Sequence, residues 1–196
     1  MIDDLFVNFN WIDILIVIII FRIVYSGIKS NILVEFLALL GVVMANFVIL
    51  HYYTRFSDFL HEKLFMPRGV QDFFAFLLIW LTVYVIFKLI INGWMLLIKA
   101  QTHPAVDQWG GASLSFVRSL FVCGLIFMVF LVSGNEYFQK ISRQSFSGFY
   151  LLDFSPKVYR YCYDNVVVKF FPDEQLNEHA FQVLAQAQKQ SHQKKK

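Results

Sequence analysis

The sequence predicts an all-α polytopic membrane protein: four transmembrane helices plus amphipathic interfacial segments. Three observations carry that prediction. Long apolar runs recur along the chain, most of them broken by only one or two polar residues. Hydrophobic residues make up 58% of the 196 residues and charged ones 16%, too little polar surface to cover a soluble domain of this size. Phe alone occurs 23 times, and the mean hydropathy is +0.56. The chain divides into a four-helix transmembrane domain over 1–135, an amphipathic membrane-surface segment over 136–172 and a polar cytoplasmic tail over 173–196.

The first span runs from about Trp11 to Tyr25, with a purely apolar core from Ile14 to Phe21. Asp13 and Arg22 sit near its ends, where both can snorkel to an interface. Trp11 has the place of an aromatic interface anchor. The N-terminal Met1-Ile2-Asp3-Asp4 lacks the basic region of a secretory signal, and no small-x-small cleavage pattern follows, so this span is expected to be retained. Gly27, Lys29 and Ser30 mark a turn. The second span, Ile32 to Leu50, holds one acid, Glu35, followed at helical spacing by Ala38, Val42 and Ala45. His51-Tyr52-Tyr53 closes it as an aromatic belt would. Over 54–72 apolar residues recur every three to four positions among charges, which suggests a short helix lying in the interface, ended by Pro67 and Gly69.

The third span, Phe73 to Ile98, contains Lys88 and Asn92, four apart on one helical face. A lysine this deep points to the bundle interior, to a wet cavity or back to one surface. Residues 101–108 read as a polar turn holding His103, Pro104 and Asp107. The fourth span, Trp109 to Val132, carries Gly111, Ser115, Ser119 and Cys123 at every fourth position. Such a stripe of small side chains is a close-packing surface for another helix. Arg118 lies beside it. After 135 the aromatic and basic residues suggest amphipathic pieces on the membrane surface. The Gln-rich, Lys-ended tail favours disorder at its very end.

Basic residues near the span ends set the orientation. With the N-terminus inside, Arg55, Lys63, Arg68, Lys140, Arg143, Lys157 and Arg160 all fall on the cytoplasmic side, so both termini are expected in the cytoplasm. The basic residues flank apolar runs and form no nucleic-acid face. Cys123 and Cys162 make no disulfide framework and have no ligand partners at metal spacing. No HExxH, GxSxG or phosphate-binding glycine loop is present, and the five histidines are dispersed as surface residues would be, so no enzyme activity, metal or cofactor is expected.

The functional candidates are therefore the ionisable and polar groups in or near the spans: Glu35, Lys88, Asn92, Arg118 and Asp107. Glu35 and Arg118 come within reach of each other on neighbouring helices, and Asp107 is a further partner for Arg118. These groups either fix helix register or line a path for a proton, ion or small solute.

Several stretches resemble the colicin V production protein family of bacterial inner-membrane proteins. Asn10-Trp11-Ile12-Asp13 is similar to the family's opening Trp-Ile-Asp. Lys29 to Glu35 resembles its Arg-Gly-Phe-x-x-Glu element, with Lys29 and Glu35 matching. His51-Tyr52-Tyr53 is similar to an aromatic cluster of some members. Asp107 to Arg118 resembles the element that opens the fourth span, with Asp107, Gly111 and Arg118 matching. Ser30, Ser115 and Ser119 replace family glycines, and Gln108 replaces a basic residue. The resemblance covers roughly 10–170. It implies an inner-membrane accessory or scaffold protein that supports peptide-toxin production or export, or envelope homeostasis. The expected partners are membrane lipids and a second copy or other inner-membrane proteins. The alternative is an oligomeric small-solute or ion channel or transporter lined by Glu35, Lys88 and Arg118.

Overall fold

The computed structural model describes residues 10–63, 67–97, 104–171, 174–183 and 185. Asp3 and Asp4, Lys99, His103, Pro172 and the terminal lysines fall outside them. All regular structure among the described residues is helical: α1 (Trp11–Ile28), α2 (Ile32–Lys63), α3 (Arg68–Leu97), α4 (Pro104–Val132), α5 (Glu136–Gln144), α6 (Phe146–Leu151) and α7 (Phe154–Cys162), then a π-helical turn at Tyr163–Val167. The first four are each long and apolar enough to cross a membrane. Their outward faces confirm what solvent they meet. Leu33, Phe36, Leu40 and Met44 form one exposed stripe on α2, and Leu81, Val85 and Leu89 another on α3. Contiguous apolar surface on this scale belongs against lipid.

Three span boundaries differ from the sequence expectation, one of them at α3, which begins at Arg68 rather than Phe73, so that Gly69 lies in its first turn and ends no helix. Residues 54–63 form no separate interfacial helix; they continue α2, which runs unbroken for 32 residues. At 1.5 Å per residue it is about 48 Å long, well beyond a ~30 Å hydrocarbon core. Nothing between Leu50 and Lys63 interrupts a helix, since the first breaker is Pro67. A charged surface is compatible with helix once the chain has left the bilayer. Likewise α4 begins at Pro104, not Trp109: Pro104 takes the first helical position, where its missing N–H is no loss.

The packing order is not the chain order. α2 packs on α3 and on α4, while α1 packs chiefly on α4. α4 is the most buried of the four, with Cys123, Leu125, Phe127 and Met128 sealed inside. α1 and α4 meet where both lack side chains. A Cβ on Gly27 would overlap Ser115 and lie 2.8 Å from the Gly111 carbonyl oxygen. The stripe on α4 is thus used within the molecule, at least at Gly111 and Ser115. At the other end of α4, Gly134 takes φ +68 and presses against Gly69 at the start of α3.

The pieces after α4 fold back over one end of the bundle. Asn135 caps α5 by accepting from the Tyr137 N–H at 2.9 Å. Gln139 donates to the Leu131 carbonyl at 2.9 Å, closing the end of α4. α7 lies on α4 at Gly124 and through the Phe121–Phe154 ring pair. The outward side of these pieces carries Tyr150, Tyr161, Phe170 and Phe171 among Lys157, Arg160 and Lys169, as an interfacial layer would.

Candidate functional site

Two ionisable residues of the spans are paired between helices. Arg118 on α4 and Glu35 on α2 meet at 2.8 Å, with side chains 15% and 4% exposed. Ser30, after α1, adds a hydrogen bond to the Glu35 carboxylate. One ion pair thus links two helices and the turn that follows a third. A buried pair like this is weak evidence for net stability, but loss of either partner strands a charge.

Asp107 does not serve Arg118. It lies in the first turn of α4 and accepts from the Ile32 N–H at 3.0 Å and from Asn31 Nδ2 at 3.4 Å. It therefore caps the start of α2 from another helix, placing negative charge at the positive end of the helix dipole.

Asp13 departs from the sequence reading in the same way. It does not snorkel; it is buried at 1% exposure. Its carboxylate accepts from the Asn10 N–H at 2.8 Å, closing the first turn of α1. It also accepts from the N–H groups of Phe146 and Ser147 at 3.3 and 2.8 Å and from the Ser147 hydroxyl. The acid that begins α1 therefore also caps α6. Burial of a carboxylate is tolerable when backbone N–H groups saturate its lone pairs.

Glu35, Arg118 and Lys88 line one cavity of about 590 Å³ at the end of the bundle where α1 gives way to α2. Ile23 and Ser26 of α1, Ala38 and Gly41 of α2, and Trp80 and Phe87 of α3 form much of the remaining wall. Lys88 is exposed, and its ammonium lies 5.8 Å from the centroid of the Tyr84 ring. Asn92, one turn further along, is exposed and outside the lining, so the face shared with Lys88 does not bring it into the site. Ser115 and Ser119 turn their hydroxyls back to Ala112 and Phe116 carbonyls at 3.0 and 2.6 Å, so they pack as small residues and offer nothing to the cavity. Cys123 is fully buried and cannot serve as a cross-linking handle to a neighbouring protein.

A second polar cluster was not legible in the sequence. The start of the expected tail, residues 174–183, is docked against α2 and α7, with residues 178–183 helical and Ala180 buried. Asn177 donates to the Leu50 carbonyl at 2.7 Å, and Tyr163 donates to the Glu174 carbonyl at 2.6 Å. His51, expected at the surface, is 3% exposed between Tyr159 and Glu174. Burial pushes the Tyr159 phenol up to about 12, so it stays protonated. Its oxygen accepts from the Asn177 N–H at 3.0 Å, which leaves its proton for His51 Nδ1 at 2.9 Å. The other ring nitrogen, Nε2, faces Glu174 Oε2 at 3.2 Å. Arg55 grips the same carboxylate at 2.8 Å. These bonds hold the Glu174 carboxyl below the usual carboxylate range, Arg55 first and His51 second. Among the described residues no group of three His, Cys, Asp or Glu side chains could hold a metal ion.

A family model described as colicin V production protein matches residues 12–156. The match takes in all four long helices and ends within α7, before the docked segment. No curated protein matches, and no solved structure does.

Proposed function

The chain belongs to the colicin V production protein family, and on that premise we propose that it is a non-catalytic accessory or scaffold protein of the bacterial inner membrane, with both termini in the cytoplasm. It supports peptide-toxin production or export, or envelope homeostasis. One observation supports this reading above others: the acidic residues in the family-like elements are each engaged between segments. Asp13 holds α6, Asp107 holds α2, and Glu35 holds Arg118. Groups fixed in this way make a frame that presents surfaces. A transport cycle would need some of them to exchange partners.

Its partners, lipids apart, would meet the outward faces, including the exposed aromatic and basic side of 157–171. In proteoliposomes the wild type is expected to hold ion and small-solute gradients. The same protein is expected to restore toxin secretion or envelope integrity to cells that lack it. Flux abolished by Arg118→Ala in an intact oligomer would replace the scaffold with a conduction role.

That second reading has one observation of its own. Glu35, Lys88 and Arg118 line a single cavity, as an oligomeric small-solute or ion channel would require. A flux panel that stays silent for wild type would remove it.

A further inference from the structure

The cavity beside Glu35 and Arg118 has an unbalanced charge. Its acidic and basic lining groups are Glu35, Arg118 and Lys88. Arg118 is already matched by Glu35 at 2.8 Å. Lys88 has no carboxylate partner among the described residues; its neighbour is the Tyr84 ring. The site therefore holds one uncompensated positive charge, which favours an anion and disfavours a cation.

The rest of the wall is mainly apolar, with Trp80, Phe87, Val42 and Ile23 in it. The mouth lies at Tyr84 and Lys88, both exposed, on the same helix whose Leu81, Val85 and Leu89 face outward. In a membrane that face meets lipid. A ligand arriving there is an amphiphile: a negative head for Lys88 and a hydrocarbon chain for the wall.

We propose that this cavity binds an anionic phospholipid of the surrounding bilayer, with the Lys88 ammonium snorkelling up from the span toward the headgroup phosphate and part of an acyl chain against Trp80 and Phe87. The Glu35–Arg118 pair forms the floor and keeps the second cation from competing. This site is independent of the accessory role: lipid retention is read on the purified protein, toxin secretion and flux on other assays.

The test is native mass spectrometry of the full chain released from micelles holding equal phosphatidylglycerol and phosphatidylcholine with matched acyl chains. Wild type should retain phosphatidylglycerol preferentially. Lys88→Gln should lower that preference about tenfold, the worth of one charge-assisted hydrogen bond. Lys88→Arg should keep it. Ala38→Phe, which narrows the cavity without touching a charge, should lower retention as well, and Val42→Phe replaces it if that variant does not fold. Equal retention of the two lipids by wild type overturns the proposal. So does a preference unchanged in both Lys88→Gln and the cavity variant, because the lipid is then held elsewhere, as on the basic side of 157–171. Inorganic phosphate that raises the melting temperature in lipid-free micelles as much as phosphatidylglycerol does would assign the site to a free anion and overturn the lipid.

Discussion

The Glu35–Arg118 pair is the residue-scale feature with the sharpest consequence. Removing Arg118 leaves Glu35 buried with a charge and only Ser30 to answer it. Arg118→Ala is expected to destabilise the bundle by about 3–5 kcal/mol, read as a fall in melting temperature in micelles. The exchanged pair, Glu35→Arg with Arg118→Glu, should recover part of that loss. No recovery would mean that the surroundings, not the pairing, dictate which charge sits on which helix. Asp13→Asn tests the other staple. An amide keeps the shape but cannot accept from four donors as a carboxylate does, so a cost of about 1–3 kcal/mol is expected. A silent Asp13→Asn would mean that α6 is held by its packing and by the Ser145 cap, which accepts from the Gly148 N–H at 2.9 Å.

At the scale of elements, composition and periodicity were enough to read the four spans, because apolar length is a local property, but not to tell the end of α2 from a separate interfacial helix over 54–72. The partners of Asp13 and Asp107 were not legible. Both cap helices distant in sequence, and no spacing rule reaches from Asp13 to Ser147. The docking of 174–183 was hidden for a similar reason. Its composition is polar, and what holds it is His51, Tyr159 and Arg55 on other elements. The α1–α4 crossing makes a testable claim: Gly27→Val should drive the two helices apart and lower the melting temperature, whereas the same change at Gly93, where a Cβ meets nothing within 4 Å, should pass unnoticed. The docked segment makes another. Glu174 is held below the usual carboxylate range, so its contribution is present above that range and is lost as pH falls through the depressed value. Hydrogen exchange over 174–183, corrected for intrinsic rate, should show protection at pH 7 that fades in strong acid. Glu174→Gln should show the faded pattern already at pH 7.

For the whole molecule, four crossings bring the start of α1, through Asp13, to the same end of the bundle as α6. Single cysteines placed at Asn10 and Tyr161 in a Cys-free background should therefore be labelled from the same side of sealed vesicles; opposite sides would mean that one of the four helices does not cross. The order of packing also has a consequence for how the protein is made. Asp107 caps a helix that begins 75 residues before it, and Ser147 reaches an acid 134 residues before it. At about 5–20 residues per second, Asp13 leaves the ribosome on the order of ten seconds ahead of the group that satisfies it. Through that interval α1 and α2 sit in or beside the bilayer with Asp13 and Glu35 answered only by the nearby Asn10 and Ser30, since α1 rests on a helix not yet synthesised. The nascent chain must therefore wait for α4 before its first half can close, and a product truncated ahead of Pro104 is one that membrane quality control would meet as two acids without their distant partners.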